Sequence, residues 1–177
     1  MDRLIRAILD LSRQGRRVLS PEHLPMDRIV GDIAVSLEMI AAERNARFMI
    51  EPPLPDLVHD RLTVEQIFTN LMENAVKYLA PGRPGIISVR GRSDGVRATF
   101  EVEDNGRGIA PEDHERVFEL FRRSGQQDQQ GEGIGLANVR ALAYRLGGTV
   151  TVRSILSEGS TFIVDLPVKS SEEGKPE

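Results

Sequence analysis

The residues best suited to chemistry begin with Asn70 and Asn74, which lie four positions apart within a helical pattern of apolar residues. Residues with this spacing sit one above the other on a single helix face. Lys77 follows three positions after Asn74 and shares that side, whereas Leu71 and Ala75 point the other way. The pattern predicts a helix that packs one face in the core and lines a polar pocket with the other. The alternative is an exposed face that carries asparagine by chance, because asparagine is common at surfaces.

A second polar stretch is the loop Asp104–Gly108, which follows a predicted strand and precedes the apolar residue Ile109. Gly106 and Gly108 permit backbone conformations that are closed to other residues, and they let the chain approach a flat ligand. The carboxylate of Asp104, at the end of the strand, can accept a hydrogen bond from an amino group such as that of adenine. A plain turn explains the same residues, because Asp, Asn and Gly favour turns in any setting.

A third stretch has glycine at Gly131, Gly133 and Gly135, where a polar segment meets a helical pattern that continues with Leu136. It does not fit a dinucleotide-binding fingerprint, because that motif follows a strand and has its third glycine in a different setting. It does not fit a Walker phosphate loop either, because no Gly-Lys-Ser/Thr sequence occurs. What remains is a glycine loop that enters a helix, where free N–H groups and the positive helix end can hold phosphates.

Helices and strands that could position these stretches are predicted from the spacing of apolar residues. The predicted helices cover residues 27–45, 62–79, 111–120 and 133–146. The predicted strands cover residues 47–51, 86–92, 96–103, 149–154 and 160–166. Tight turns join neighbouring strands, so the fold class is α/β, a two-layer sandwich with a mixed, largely antiparallel sheet covered on one face by three helices. Residues 122–131 are polar and lack periodicity, which indicates a mobile loop.

Composition limits the classes of protein and of partner. The 177 residues are 40% hydrophobic, enough for one core, and the net charge of −4 gives no basic field to attract nucleic acid. The chain has no cysteine, which excludes disulfides and thiolate metal sites, and its three histidines are too scattered for a zinc site. No apolar run approaches the roughly 20 residues that cross a bilayer. One cytoplasmic domain with no nucleic-acid partner is therefore expected.

The three stretches occur in an order that resembles the N, G1 and G2 boxes of the ATP-binding domain of histidine kinases. The superfamily also contains gyrase, mismatch-repair and chaperone ATPases. The resemblance covers residues 25–167 and includes the runs Phe118–Phe121, Gly159–Phe162 and Leu166–Pro167. It implies a Bergerat-type fold, ATP and Mg2+ as cofactors, and transfer of the γ-phosphate of ATP to a histidine in two-component signal transduction.

The resemblance also implies roles for individual residues. Asn74 would be a ligand of the Mg2+ that bridges the phosphates, since Mg2+ prefers oxygen ligands. Asp104 would accept the amino group of adenine, which implies ATP rather than GTP, and Thr161 would contact adenine through water. Arg122 or Arg123 would reach the γ-phosphate as the loop closes, with an exposed charge pair as the equal alternative. The implied catalytic residues are Asn70, Asn74 and Lys77. The implied nucleotide contacts are Asn74, Lys77, Tyr78, Asp104, Gly106, Gly108, Ile109, Arg122, Arg123, Gly131, Gly133, Gly135, Leu136 and Thr161.

The sequence departs from a complete histidine kinase, because it contains no His-Glu/Asp-x-x-x-Pro acceptor motif. His23, His59 and His114 lack that setting and are interpreted as surface histidines. Position 70 is also distinctive. Related ATPases place a glutamate there as the general base for water, whereas Asn70 cannot take a proton. The resemblance therefore favours phosphoryl transfer to a positioned histidine over hydrolysis.

These features together predict the catalytic fragment of a longer sensor kinase. Residues 1–17 would be part of a helix of the dimerisation hairpin, with a helix packed on its own domain as the equal alternative. Residues 18–26 would be a linker or contain a short edge strand, 27–167 the ATP-binding domain and 168–177 a disordered tail. The implied partners are ATP, the histidine-bearing dimerisation domain and a response regulator. A homodimer is expected only in the full-length protein, which could be anchored in a membrane. Two alternatives stay open: a non-catalytic ATP-binding signalling module, and a serine-directed kinase of the anti-sigma type.

Overall fold

The computed structural model describes Ser12, residues 16–119 and residues 135–170. Most of this chain forms two layers, a β-sheet and a set of helices. The strands are β1 (Pro21–Leu24), β2 (Ala46–Ile50), β3 (Leu57–Asp60), β4 (Gly85–Ser93), β5 (Arg97–Asp104), β6 (Thr149–Ile155) and β7 (Gly159–Pro167). The α-helices within the described residues are α1 (Met26–Glu43), α2 (Arg61–Lys77) and α3 (Gly135–Arg145).

The main sheet contains five strands in the order β2-β4-β5-β7-β6. β2 runs parallel to β4, and the other neighbouring strands are antiparallel. Asp94 shapes the turn between β4 and β5, because its Oδ1 atom accepts hydrogen bonds from the N–H groups of Val96 and Arg97 at 2.9 and 2.8 Å. Gly95 has a φ angle of +91°, which favours glycine. The prediction of a mixed, largely antiparallel sheet is confirmed.

One face of the main sheet packs against the helices, because alternate residues of each strand are apolar. In β5, Phe100 and Val102 are buried, and Phe100 meets Phe68 of α2 edge to face at a centroid distance of 5.2 Å. The opposite face is charged, and Arg90 of β4 pairs there with Glu101 of β5 at 2.6 Å. The predicted two-layer sandwich with helices on one face is confirmed.

A second sheet joins part of the expected linker to the rest of the domain. β1 pairs with β3, an antiparallel strand that was not predicted. Leu24 at the end of β1 and Met26 at the start of α1 are fully buried. The short edge strand allowed for this segment is therefore present, and Leu24 and Met26 are part of the core, whereas Val18 is exposed.

The short helix predicted over 111–120 is wrong. The chain instead forms two short 3-10 helices, Pro111–Asp113 and Arg116–Phe118. Among residues 111–119, only Val117 and Phe118 are buried, so these residues offer no continuous apolar face for a longer helix to pack on the domain.

The first residues of the predicted disordered tail, 168–170, are ordered and bound to β3. Lys169 forms a parallel bridge with Val58 of β3, and the N–H of Ser170 donates to O of Val58 at 2.9 Å. Residues 171–177 lie outside the described residues, as does the predicted N-terminal helix apart from positions 12, 16 and 17. Within the described ranges, no helix has the length and apolar character needed to span a bilayer.

Asp60 connects the start of α2 to the segment that precedes β1. Its Oδ1 atom accepts from the N–H of Thr63 at 2.9 Å and caps the helix. Its Oδ2 atom accepts from the N–H of Ser20 at 3.0 Å, and the carboxylate also pairs with the guanidinium of Arg17. Burial alone would raise the pKa of Asp60, but these hydrogen bonds outweigh burial and lower the pKa to about 2.

His59 is buried, so its interpretation as a surface histidine is wrong. The residue is 0% exposed in β3, and its Nε2 atom lies 2.6 Å from O of Pro167 at the end of β7. Burial lowers the pKa of His59, and the hydrogen bond to Pro167 opposes this effect only in part. The Nδ1 atom has no hydrogen-bond partner among the described residues, so protonation would leave a buried donor unsatisfied. His23 is exposed, as expected, and His114 is half-buried.

His59 should make the protein less stable as the pH drops below about 6.5, because the unfolded chain then binds a proton that the folded His59 still rejects. His59→Gln keeps a donor for Pro167 but removes this titration, so its free energy of unfolding should fall less than that of wild type as the pH drops through that range. Urea unfolding followed by circular dichroism between roughly pH 5 and pH 8 measures the effect. The exposed His23→Gln is the matched control and should keep the wild-type profile. A wild-type slope in His59→Gln would contradict the prediction.

Candidate functional site

The polar face of α2 forms one wall of the candidate site. Asn70, Asn74 and Lys77 are half-buried, whereas Leu71 and Ala75 on the opposite side are buried in the core. The capped start of α2 and its packed apolar side hold this face in place. The prediction of a helix with one face in the core and one polar face is confirmed.

The loop Asp104–Gly108 lies against the end of α2. The N–H of Arg107 donates to O of Tyr78 at 3.0 Å, and a Cβ atom on Gly106 would lie 2.4 Å from that same oxygen. Gly108 has a φ angle of +71°, and a Cβ atom there would lie 2.1 Å from O of Ile155. The glycines therefore allow three backbone segments to approach one another. The first two predicted stretches meet in the folded chain.

Asp104 ends β5 on the face that the helices cover, and the residue is only 6% exposed. Burial raises the pKa of Asp104 to about 6, although hydrogen bonds from the N–H groups of Gly106 and Ser160 act in the opposite direction. The N–H of Gly106 lies 2.8 Å from Oδ1 of Asp104. The carboxylate is thus ionised near pH 7, and it has further lone pairs to accept a hydrogen bond from a ligand.

Two cationic side chains flank Tyr78, the first residue after α2. The Nζ atom of Lys77 lies 5.1 Å and the Cζ atom of Arg107 lies 4.4 Å from the centroid of the Tyr78 ring. Positive charge is therefore concentrated where the helix meets the glycine loop, which suits a polyphosphate. Arg107 was not predicted as a site residue, although its position between two glycines of the loop was a usable signal.

Thr161 does not share the face of the sheet on which Asp104 lies. Thr161 is paired with Glu103 and Ser160 is paired with Asp104 across β5 and β7. Directly opposite residues of paired strands project from the same face, and successive residues alternate. The neighbouring Ser160, and not Thr161, therefore lies on the side of Asp104, and the implied contact of Thr161 with adenine stays a prediction.

Ser160 belongs to a hydroxyl pair that supports the end of the glycine loop. Its Oγ atom lies 2.8 Å from Oγ of Ser154, which also accepts a hydrogen bond from the N–H of Ile109 at 2.8 Å. The hydroxyl of Ser154 donates to O of Gly159 at 2.8 Å. These contacts fix the backbone of Ile109. Sequence reasoning missed both serines, and only the strand register could have revealed them.

The start of α3 brings the third stretch to the same place. A Cβ atom on Gly135 would lie 3.7 Å from Oδ1 of Asn70, and Leu136 packs partly buried against the core. The described end of the third stretch therefore lies beside the polar face of α2. Four residues implied in nucleotide binding lie outside the described residues: Arg122, Arg123, Gly131 and Gly133.

Comparison with known proteins identifies the family. Residues 59–170 match the family described as histidine kinase-, DNA gyrase B-, and HSP90-like ATPase. The chain belongs to this family. The match contains α2, the loop Asp104–Gly108 and α3, which are the elements that build the site.

Two curated relatives are histidine-kinase or sensor proteins, and each is 34% identical to the chain. They are the methanogenesis regulatory histidine kinase FilI of Methanothrix harundinacea, over 167 residues, and the aerobic respiration control sensor protein ArcB of Escherichia coli, over 176 residues. Each alignment covers 94% of the chain but 19% of FilI and 22% of ArcB, so the chain spans about a fifth of their length.

Two solved structures share the fold. Full-length ShkA in complex with AMPPNP has a TM-score of 0.79 and 30% identity, and the match covers 95% of this chain and 36% of ShkA. The histidine kinase ThkA in complex with the response regulator protein TrrA has a TM-score of 0.76 and 19% identity, which shows the fold alone. That match covers 97% of this chain and 49% of ThkA. The Bergerat-type fold expected for a histidine-kinase ATPase domain is confirmed.

The donor atoms of this ATPase-family site fit a Mg2+ ion that is held mainly by a nucleotide. No group of three His, Cys, Asp or Glu side chains in residues 16–119 and 135–170 could hold a metal by itself. Asn74 offers one amide oxygen on the polar face of α2. Mg2+ commonly keeps several waters and takes substrate phosphates with one or two protein oxygens. Asn74 is therefore sufficient as a protein ligand when phosphates supply the others.

Gly108→Ala should destabilise the protein, because alanine is strained at a φ angle of +71° and its Cβ would meet O of Ile155 at 2.1 Å. We expect a loss of about 2 to 4 kcal/mol in the free energy of unfolding. Gly95→Ala is the matched control, since Gly95 has a φ angle of +91° but nothing within 4 Å of the added Cβ. That control should lose only about 1 kcal/mol. Equal losses in urea unfolding would contradict the close backbone approach at Gly108.

Proposed function

We propose that this chain is the ATP-binding and catalytic part of a sensor histidine kinase, which binds Mg·ATP and transfers its γ-phosphate to a histidine of a dimerisation domain. The observation that carries the proposal is that the polar face of α2 meets the loop that holds the buried carboxylate of Asp104. The N–H of Arg107 in this loop donates to O of Tyr78 at the end of α2. Further support comes from the 34% identical kinase FilI and from the ShkA structure, which contains AMPPNP.

The adenine end of the nucleotide is assigned to the glycine loop. The ionised Asp104 accepts a hydrogen bond from the adenine amino group, and Gly106 and Gly108 let the loop backbone lie close to the flat base. Ser160 shares this face of the sheet and can hold a water between the base and the carboxylate.

The phosphate end is assigned to the end of α2 and the start of α3. Lys77 and Arg107 supply positive charge there, and the N-terminus of α3 adds backbone N–H groups. Asn74 would hold the Mg2+ together with the phosphates, and the ion would supply positive charge next to the phosphate oxygens.

Transfer is favoured over hydrolysis because no general base for water lies on the polar face of α2. Asn70 cannot take a proton, and Glu73 is exposed about a hundred degrees around the helix from Asn74. The chain therefore works by holding the phosphates in position while another group attacks. His59 cannot be that group, since its ring is fully buried and hydrogen-bonded to Pro167. The attacking histidine is assigned to the dimerisation domain.

The proposed downstream partner is a response regulator. The fold of this chain matches that of ThkA, which was solved in complex with the response regulator protein TrrA. In the full-length kinase, dimerisation would place the acceptor histidine near the site, and the regulator would then take the phosphate from that histidine. The fixed segment around Arg17 and Ser20 is the point at which such a domain would join.

Asn74→Ala should lower the rate of phosphoryl transfer by about a hundredfold or more, because it removes the protein oxygen that would position Mg2+ on the phosphates. The assay mixes this chain with radiolabelled Mg·ATP and the dimerisation domain of its full-length kinase as a separate polypeptide. The expected product is an acid-labile label on a histidine of that domain. The matched control is Glu73→Ala, an exposed neighbour on the same helix, which should transfer at the wild-type rate.

Three other results would contradict the proposal. An acid-stable label on a serine would indicate a serine-directed kinase. Tight nucleotide binding without any label would indicate a non-catalytic module. Rapid release of phosphate by the chain alone would indicate an ATPase and would mean that Asn70 does not prevent hydrolysis.

A further inference from the structure

Arg83 makes several hydrogen bonds around the glycine loop, and it is not one of the residues assigned above to ATP binding. It lies in the connection between α2 and β4. Its Nε atom donates to O of Asn105 at 3.0 Å, and its Nη2 atom donates to O of Gly106 at 2.8 Å. The same Nη2 atom also donates to O of Ser157 at 3.0 Å and to O of Glu158 at 3.3 Å. One guanidinium group thus binds four backbone carbonyl groups.

These carbonyl groups belong to two segments that are far apart in sequence. Asn105 and Gly106 are in the glycine loop, and Ser157 and Glu158 are in the turn between β6 and β7. Carbonyl groups turned toward one place repel one another, and a cation with a planar set of donors removes that repulsion. Arginine suits this position because lysine has a single nitrogen and no fixed planar arrangement of donors.

The segment that carries Arg83 is itself bound to the loop. The Nδ2 atom of Asn105 donates to O of Pro84 at 2.9 Å, and the N–H of Ile86 donates to Oδ1 of Asn105 at 2.8 Å. The turn is tied to the loop as well, since the N–H of Ser157 donates to O of Arg107 at 2.7 Å. Arg83 therefore lies at the junction of three segments whose relative position sets the loop backbone.

The loop backbone in turn sets the environment of the adenine acceptor. The N–H of Gly106 binds the carboxylate of Asp104, and the carbonyl group of the same Gly106 is bound by Arg83. A shift of Gly106 would therefore move a donor that keeps Asp104 ionised.

We propose that Arg83 is a positioning residue for adenine binding, which holds the loop Asp104–Gly108 against the turn between β6 and β7. This inference rests on the proposed function, because it assigns the base to Asp104. The donors of Arg83 are bound to backbone carbonyl groups, and Lys77 and the start of α3 supply phosphate contacts outside the loop. Loss of Arg83 should therefore weaken binding of the base more than binding of a free polyphosphate.

The test compares Arg83→Ala and Arg83→Lys with wild type by calorimetry, using Mg·ATP and Mg·tripolyphosphate as separate ligands. Arg83→Ala should bind Mg·ATP about three- to tenfold more weakly, and tripolyphosphate less than about twofold more weakly. Arg83→Lys should recover only part of the loss. The control is Arg92→Ala, an exposed arginine that pairs with Glu101 at 3.6 Å on the other face of the sheet, and it should leave both affinities unchanged.

Amide hydrogen exchange of Gly106, Arg107 and Gly108 provides a second measurement, made without ligand. Their exchange should speed up at least threefold in Arg83→Ala, while exchange in the core strands stays unchanged. An Arg83→Ala chain that binds Mg·ATP as tightly as wild type, or that loses ATP and tripolyphosphate equally, would overturn the inference alone. A wild-type chain that binds no Mg·ATP would overturn the proposed function, and the inference with it.

Discussion

A carboxyl group buried at the end of β5 dictates much of the structure around it. Asp104 is 6% exposed and needs N–H donors to stay ionised, and Gly106 supplies one at 2.8 Å. Gly159 on the neighbouring strand comes so close that a Cβ atom would lie 2.0 Å from O of Asp104. Asp104 can therefore be buried only because glycine, which has no side chain, stands at both of these neighbouring positions. These glycines are therefore required by the packing around Asp104, whether or not a ligand is bound.

Burial of this acceptor connects stability with ligand choice. Its folded-state pKa of about 6 lies above the usual 3.8, so Asp104 makes the protein less stable as the pH rises from 3.8 through 6. Groups held in an unfavourable environment of this kind are frequent at binding sites. A ligand with an amino group relieves the cost by donating to the carboxylate. The polar face of α2 carries no such cost at Asn74, because an amide side chain is uncharged.

Features that depend on local spacing were predictable from the sequence. The shared face of Asn70 and Asn74 follows from the helix period, and the hairpin between β4 and β5 follows from its turn residues. Features that depend on the pairing of distant segments were not. The register of β7 on β5, which places Ser160 rather than Thr161 beside Asp104, is set by the whole sheet. Likewise β3 is only four residues long and is defined by its partner β1, so neither the strand nor its buried histidine had a periodic signal.

The most direct test of the account is to compare the dissociation constants of Mg·ATP and Mg·GTP for this chain between roughly pH 5 and pH 8. The ionised Asp104 accepts from the adenine amino group and has no proton for the guanine carbonyl group, so ATP should bind at least about tenfold more tightly at pH 8. This preference should shrink below a pH of about 6, where the protonated carboxyl group becomes a donor. Equal affinities at pH 8, or a preference that does not change with pH, would contradict the account.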